Sequence, residues 1–406
     1  MSFTNRTCRK SSQSPLPSKE TATRHPSGVR KPTLGQVPDD LKVKAESGRV
    51  VSRAGKNADP VRAVQQRYGL TFERSVKLPQ EKLDFLEARA TRRSGRAQAD
   101  IGGSMIVTGR SADLEHAANA TVINGGGTTQ CVTGSDNAAS TVLRGFTIQN
   151  GWDGGSDGGG GMVLENSSAV IVQCTFVNNK AANFGGAVSV RGTGSPQFIN
   201  CIFEGNGEAT GNDPLGGGVL YAYRGSPTFV NCLFNGNKAG EGGVALVYFG
   251  NPTFINCTFV NNQAKIGRGG AIYDPNGQAT LKNCILWNNT TTRGVGEADQ
   301  IGAGGGGRSL ARYCDIQAGW PGTNIINADP MFTGDITQGY YTLQSGSPCK
   351  ETGENAALPP DIGNLDWDLD TSEPIPLDLA LHERASGPAV DMGAYEYFDI
   401  VPGGPE

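Results

Sequence analysis

The sequence predicts an all-β chain wound as a parallel β-helix, and three observations carry that expectation. A unit of about 28 residues recurs from roughly residue 140 to 318. Its copies share columns of one residue type at matching positions. Each copy contains short apolar segments divided by Gly and Asn, with no amphipathic helix. The most regular copies are GGAVSVRGTGSPQFINCIFEGN (185–206), GGVLYAYRGSPTFVNCLFNGN (217–237) and GGVALVYFGNPTFINCTFVNN (242–262). Helical solenoids need long amphipathic helices and leucine-rich repeats need a Leu-x-x-Leu-x-Leu pattern; the chain has neither.

One column runs Phe146, Cys174, Cys201, Cys232, Cys257, Cys284, Cys314, at intervals of 25 to 31 residues. Two residues on comes Ile148, Phe176, Phe203, Phe234, Phe259, Leu286, Ile316. Coils of a β-helix stack at about 4.8 Å, so equivalent side chains meet. The Phe and Cys columns are expected to fill a narrow dry core. Two amide columns, Gln173/Asn200/Asn231/Asn256/Asn283 and Asn179/Asn206/Asn237/Asn262/Asn289, are expected at bends. There the side chain can bond backbone groups and tolerate a left-handed φ. Gly-Gly pairs mark tight turns where a Cβ would clash. Residues 207–215 read as a loop. The thiols read either as a disulfide or metal stack or as buried reduced cysteines. Parallel stacked side chains match disulfide geometry poorly, which favours buried thiols acting as small apolar groups.

Composition bounds the rest. Glycine reaches 59 of 406 residues without a Gly-X-Y period, which excludes collagen. The longest apolar run, residues 244–249, is too short for a membrane-spanning helix. With 3 His and 9 scattered Cys, neither a His-rich metal site nor a CxxC zinc site is expected. Residues 1–100 carry 21 Lys and Arg against 10 Asp and Glu, whereas residues 101–406 carry 14 against 29. The basic first segment, 1–110, is expected to be largely disordered, with short helices at most over 58–90. A nucleic-acid or anionic-lipid arm is one reading of it. A solvated tail, or a stretch outside the mature protein, is the favoured one, because the cations are spread out and no aromatics alternate with them. No nucleic-acid partner is expected. No apolar signal segment is visible.

The motifs Gly185-Gly186-Ala187-Val188 with Phe203…Asn206, and Gly269-Gly270-Ala271-Ile272 with Leu286…Asn289, resemble the repeats of chlamydial polymorphic outer-membrane proteins. NADPMF (327–332), YTLQSGSPC (341–349) and VDMGAYEY (390–397) resemble the terminal module of bacterial choice-of-anchor Q proteins, and 123–151 their early coils. The likeness covers roughly 119–397. It implies a right-handed, pectin-lyase-like β-helix over 111–326 and a capping module over 327–400. It also implies an extracellular or cell-surface location, with membrane association only through a separate anchor. The family's signal peptide and first coils are not recognisable in 1–110.

The coils themselves point to no catalytic residue. His25, His116 and His382 all lie outside the repeats, which excludes Ser-His or Cys-His nucleophiles there. A lyase would need clustered carboxylates for Ca²⁺ with a basic residue, and a hydrolase would need two carboxylates roughly 5–9.5 Å apart. The central acids are sparse: Glu165, Glu204, Glu208, Asp213, Glu241 and Asp274. Counted from the Gly-Gly pairs, Glu165 and Asp274 share a column several coils apart, and Glu241 with Arg268 reads as a surface ion pair.

The informative columns follow the Gly-Gly pairs. They are Leu164, Ser189, Tyr221, Leu246, Tyr273 and, two residues on, Asn166, Arg191, Tyr223, Tyr248, Pro275. Period-2 alternation turns them outward. Tyr221, Tyr223, Tyr248 and Tyr273, with Arg191 and Arg224, then form a glycan-binding candidate, set against an ordinary tyrosine-bearing sheet surface. Asn364, Asp366, Asp368, Asp370 and Glu373 alternate as in a calcium loop but lack its glycine, so Ca²⁺ is set against a solvated acidic loop. Asp391, Glu396 and Arg384 read as structural ion pairs. The terminal module is expected to cover the last coil. The expected function is an exported, non-catalytic β-helix that binds polysaccharide or cell-surface glycan or serves structurally. The alternative is a polysaccharide lyase or glycoside hydrolase. The oligomeric state has no signature in the sequence.

Overall fold

The computed structural model describes residues 121–156, 158–207, 216–292, 300–334, 341–366, 368 and 370–398, with the backbone of four short strands before them. The rest of the segment expected to be disordered, including the helices suggested over 58–90, lies outside the described residues. So do Glu208 and Asp213. The chain divides into two units, Met1–Ala58 and Asp59–Glu406. In the first, Lys44–Glu46 pairs antiparallel with Arg49–Val51.

The second unit contains the solenoid. Its first face is a nine-stranded sheet. The parallel members, one per coil, are Val132–Ser135, Met162–Glu165, Val188–Arg191, Leu220–Tyr223, Ala245–Tyr248, Ile272–Asp274 and Ile301–Ala303. Before them, Gln98–Ile101 and Met105–Thr108 form an antiparallel hairpin that pairs onto Val132–Ser135. This backbone pairing occupies the first parallel edge, inside the stretch expected to be disordered.

The second face is bent. In each regular coil a three-residue strand such as Gln197–Ile199 meets another such as Ile202–Glu204 across one residue in the left-handed region. That residue is Gln173, Asn200, Asn231, Asn256 or Asn283, with φ between 49° and 53°. Asparagine adopts this conformation at low cost because its short side chain can bond locally. The bend was therefore legible in the amide column. In the last coil both segments merge into one strand, Leu310–Ile316, which joins the two ladders.

Register stacks like on like. Phe176 pairs with Phe203, Phe203 with Phe234, and Phe234 with Phe259. Their rings stack at centroid distances of 4.8, 5.0 and 4.6 Å. A second ring column, Phe198, Phe229 and Phe254, stacks at 4.7 and 5.1 Å and meets the first edge to face. The cysteine column lies in the same core as free, buried thiols. Burial raises the thiol pKa of Cys232, Cys284 and Cys314, which keeps them protonated.

The first amide column also bonds from coil to coil, Asn231 Nδ2 to Asn200 Oδ1 and Asn283 Nδ2 to Asn256 Oδ1, whereas the second column, expected at bends too, stays out of the left-handed region. Asn179, Asn206, Asn237, Asn262 and Asn289 are buried and bond through the stack. Asn237 Nδ2 donates to the Phe203 carbonyl and to Asn262 Oδ1, at 3.0 and 2.9 Å. Its Oδ1 accepts from the backbone N–H and the Nδ2 of Asn206, at 2.9 and 3.0 Å. Each amide thus satisfies groups in the coils on both sides.

Residues 341–398 form a strap along the flank of the second face rather than a lid confined to the last coil. Apolar residues on the outward side of that face carry the contact: Val170, Val172, Ile199 and Val230 pack on Leu365 and Ile375. Leu233 and Val260 pack on Tyr341, Ala394 and Tyr395, and Ile285 packs on Leu343, Cys349 and Met392. A sheet apolar on both sides must be covered on both. The bend asparagines hold the strap's backbone: Asn231 Nδ2 donates to the Leu377 carbonyl at 2.8 Å, and Asn283 Nδ2 to that of Glu354 at 3.1 Å. Within the strap, Arg384 is fully buried and lies 3.5 Å from Glu396. Its Nη2 also donates to the carbonyls of Asp391 and Gly393. Of the ion pairs expected here, Arg384 meets Glu396, whereas the Asp391 carboxylate accepts from the Glu351 and Tyr397 N–H groups.

Two outcomes follow. Asn237→Ala strands donors and acceptors in both neighbouring coils, at about 1–3 kcal/mol for each buried group left unmade. Chemical denaturation should show a loss of several kcal/mol, against less than about 1 kcal/mol for Asn251→Ala, whose side chain is exposed and whose φ is not left-handed. Equal losses would refute the ladder's role. The second outcome concerns pH. Burial pushes Glu396 up to about 8, against the pull of Arg384, and Asp315 up to about 6. Between about 4.5 and 8 the folded chain therefore holds protons that the unfolded chain has released. Stability should be highest below this window and fall as pH rises through it. Glu396→Gln should flatten the profile above pH 6, and an unchanged slope would contradict the assignment.

Candidate functional site

The first face positions the tyrosines. In-register pairing sets Ser189 beside Tyr221 and Tyr221 beside Leu246, with Leu246 beside Tyr273. The earliest coil departs from the sequence count: Val163, not Leu164, pairs with Ser189. Residues 158–161 are four glycines, which allow two frames, and Gly159 (φ 73°) takes the turn that Gly185 (φ 55°) takes one coil later. Leu164 is therefore fully buried in the core, and Glu165 pairs with Arg191.

Outward positions of this face are not equally open. The chain before each Gly-Gly turn folds over the first outward column. A Cβ at Gly216 would lie 2.5 Å from Leu246, and one at Gly159 would lie 2.9 Å from Val163. Ser189 and Leu246 are accordingly buried. Tyr273 is only 4% exposed, which corrects its placement in the strip. Gly302 and Gly304 of the next coil lie against its ring and hydroxyl, and Arg268 Nη1 donates to that hydroxyl at 2.5 Å. Arg268 also meets Glu241 at 3.9 Å, the ion pair expected from sequence. Asp274 shares no column with Glu165. It points inward, is fully buried, and accepts a 2.5 Å hydrogen bond from Ser309. Burial pushes its pKa up to about 6.

Three tyrosines do come together. Tyr221, Tyr223 and Tyr248 are partly exposed, with ring centroids 6.0 Å apart between Tyr221 and Tyr223 and 6.3 Å between Tyr223 and Tyr248. Two further rings, not anticipated from sequence, extend the row. Phe184 stacks on Tyr221 at 4.5 Å, and Phe249 meets Tyr248 edge to face at 4.8 Å. Phe249 is 52% exposed. The Arg224 guanidinium lies 5.4 Å from the Tyr223 ring centre, within cation–π range. Arg191 aligns with Tyr223 one coil earlier, and it opposes the rise in the Tyr221 pKa that burial causes.

The row carries conformational strain. The turn residue after each strand is left-handed: Asn166, Gly192, Arg224 and Phe249, with φ of 48°, 75°, 66° and 62°. Asparagine and glycine take this turn readily. Arginine and phenylalanine do so at a cost of roughly 1–2 kcal/mol each. The two strained positions are the ones that flank the tyrosines. A signal for Phe249 was present in the sequence, since it fills a slot held by Asn and Gly in earlier coils.

The acidic loop of the strap forms a second centre. Of its sequence-predicted members, Asp366 and Glu373 converge with Asp361, one carboxylate oxygen from each lying within 4.8 Å of the others. Asn364 is buried. Asp368 and Asp370 are exposed and accept hydrogen bonds from backbone N–H groups two residues on. Asp361 was missed because it lies outside the alternating run.

Hydroxyl-radical footprinting should modify Phe249 and Tyr248 readily and leave Tyr273 protected in the folded chain. Modification of Tyr273 at the rate of Tyr248 would overturn the assigned geometry.

Comparisons with curated proteins and with solved structures each return no match. Residues 130–317 match the family model of the right handed beta helix region, the span that holds the coils described above. This part of the chain is a right-handed parallel β-helix.

Proposed function

We propose that the chain is an exported, non-catalytic β-helix that binds an extended glycan along the row Phe184–Tyr221–Tyr223–Tyr248–Phe249. The observation that carries this reading is the row itself. It consists of aromatic rings at consecutive coils, partly exposed, with a cation over one of them. The stacked tyrosines use their faces on one another. They leave ring edges and phenol hydroxyls for a ligand, and no described residue hydrogen-bonds the hydroxyls of Tyr221, Tyr223 or Tyr248. Phe249, turned about 80° from Tyr248, offers an open ring surface. A polysaccharide repeats along one direction, and so does the row. Many weak contacts along a repeating face suit such a partner.

The strain supports the same reading. Left-handed Arg224 and Phe249 lower stability without contributing to the core, a pattern associated with sites kept for a ligand. The acids on this face support binding over hydrolysis, since Glu241 is taken up by Arg268 and Asp274 faces inward. Placement outside the cell rests on the resemblance of the coils and the terminal motifs.

A glycan array probed with the full chain tests this. Tyr223→Ala/Tyr248→Ala should lower apparent affinity at least tenfold. Phe249→Asn should also weaken binding while leaving thermal stability unchanged or higher, because it relieves the strained turn. New reducing ends or unsaturated products on any glycan would instead make the chain an enzyme. Binding that survives all three substitutions would remove the row as the site.

A further inference from the structure

We propose that Asp361, Asp366 and Glu373 form a Ca²⁺ site that fixes the strap to the solenoid. The inference is independent of the aromatic row. Its first support is the convergence of the three carboxylates, each with an oxygen within 4.8 Å of the other two. Its second is the state of Asp361. This residue is fully buried, and its Oδ2 accepts a 2.6 Å hydrogen bond from the Leu365 N–H. Its Oδ1 is buried with no hydrogen-bond partner. Glu373 Oε1 is also shielded and without a partner. An uncompensated buried carboxylate oxygen is costly, and the surrounding charges raise that cost.

Those charges are acidic on nearly every side. Asp366, Asp368 and Asp370 alternate along the chain between Asp361 and Glu373. Among the described residues, Arg144 is the cation beside the loop, and its hydrogen bonds include those to the carbonyls of Gly363 and Asn364 and to Gln173. One guanidinium cannot neutralise three converging carboxylates.

The donor set selects the ion. All three ligands are carboxylate oxygens, with no His or Cys among them, which suits a hard cation. Two ligands come from one short stretch and the third from the far side of the loop. Ca²⁺ tolerates such irregular spacing, whereas Mg²⁺ requires near-octahedral geometry. The loop is held in shape by its own hydrogen bonds, Asp370 N–H to Asp368 Oδ1 at 2.7 Å and Ser372 N–H to Asp370 Oδ1 at 2.9 Å. Asp368 and Asp370 thus shape the loop, and Asp361, Asp366 and Glu373 hold the ion. Leu365 and Ile375, beside the ligands, belong to the apolar cluster with Val170, Val172, Ile199 and Val230. An ion at this point ties both ends of the acidic loop to the flank of the coils.

The test uses the full chain, freed of divalent ions with a chelator, and calorimetric titration with CaCl₂. One equivalent should bind, with a dissociation constant in the range of about 10⁻⁵–10⁻³ M, and the melting temperature should rise with Ca²⁺ concentration. Asp361→Asn and Glu373→Gln should each weaken binding at least tenfold while far-UV circular dichroism stays that of a β protein. Because Asp361 is buried and its variant is prone to misfold, Glu373→Gln carries the comparison alone if needed. Asp370→Asn should retain the affinity of the parent chain. No heat and no melting shift at 5–10 times the upper end of that range would overturn the site. Unchanged affinity in Glu373→Gln, or tighter binding of MgCl₂ than of CaCl₂, would overturn it as well.

Discussion

Register is the constraint on which everything else here depends. Each coil must lay its side chains directly on their counterparts, and the buried asparagine column enforces this. Asn179, Asn206, Asn237, Asn262 and Asn289 each bond the main chain of one neighbouring coil and the side chain of the other. A coil slipped by one residue would leave an amide and several backbone groups unsatisfied in a dry interior, and would turn its Phe away from the Phe stack. The ring columns supply apolar stabilisation, but rings alone tolerate sliding. The directional amides fix the frame, and the left-handed asparagines at the bend fix the corner.

The strap follows from the same geometry. Consecutive apolar residues in VIVQC, FINC and FVNC put an apolar stripe beside the bend of the second face, so a solenoid of these coils alone would expose a long apolar flank. The bend asparagines, already held in the left-handed conformation, present amide groups along that flank at every coil. A chain laid across them finds hydrogen bonds and apolar cover together. Arg384 and Glu396, buried 3.5 Å apart, then set the course of the strap itself, with Arg384 Nη2 held by the carbonyls of Asp391 and Gly393.

How far the sequence revealed all this depends on whether a feature repeats. The Cys, Phe and both Asn columns were readable because each position is written five or more times. The covering of the second face was also readable in its unbroken apolar strands. The expectation of a lid on the last coil looked at the exposed edge and overlooked that apolar face. The slip at residues 158–161 arose where four successive glycines carry no positional information. Tyr273 was misplaced because its burial depends on Gly302 and Gly304 of the next coil, which belong to no column. Asp361 was missed for a related reason. It meets Glu373 through the path of the strap, which is not periodic.

The open outward column of the first face is where such a fold can vary freely. Its successive members, Glu165, Arg191, Tyr223 and Tyr248, are neighbours through the parallel pairing of their strands, yet none of them fills the core. Exchanging one for another leaves the asparagine ladder and the ring stacks untouched. The adjoining turn position is nearly as free, because any residue that accepts a left-handed φ serves there. Variation at these two positions per coil is therefore decoupled from folding, apart from the local strain at Arg224 and Phe249. That decoupling explains how a rigid, repetitive shaft can carry a specific surface. It also explains why the repeat pattern, which identifies the fold so readily, is silent about function: the positions that repeat are the structural ones, and the positions that differ between coils are free of that constraint.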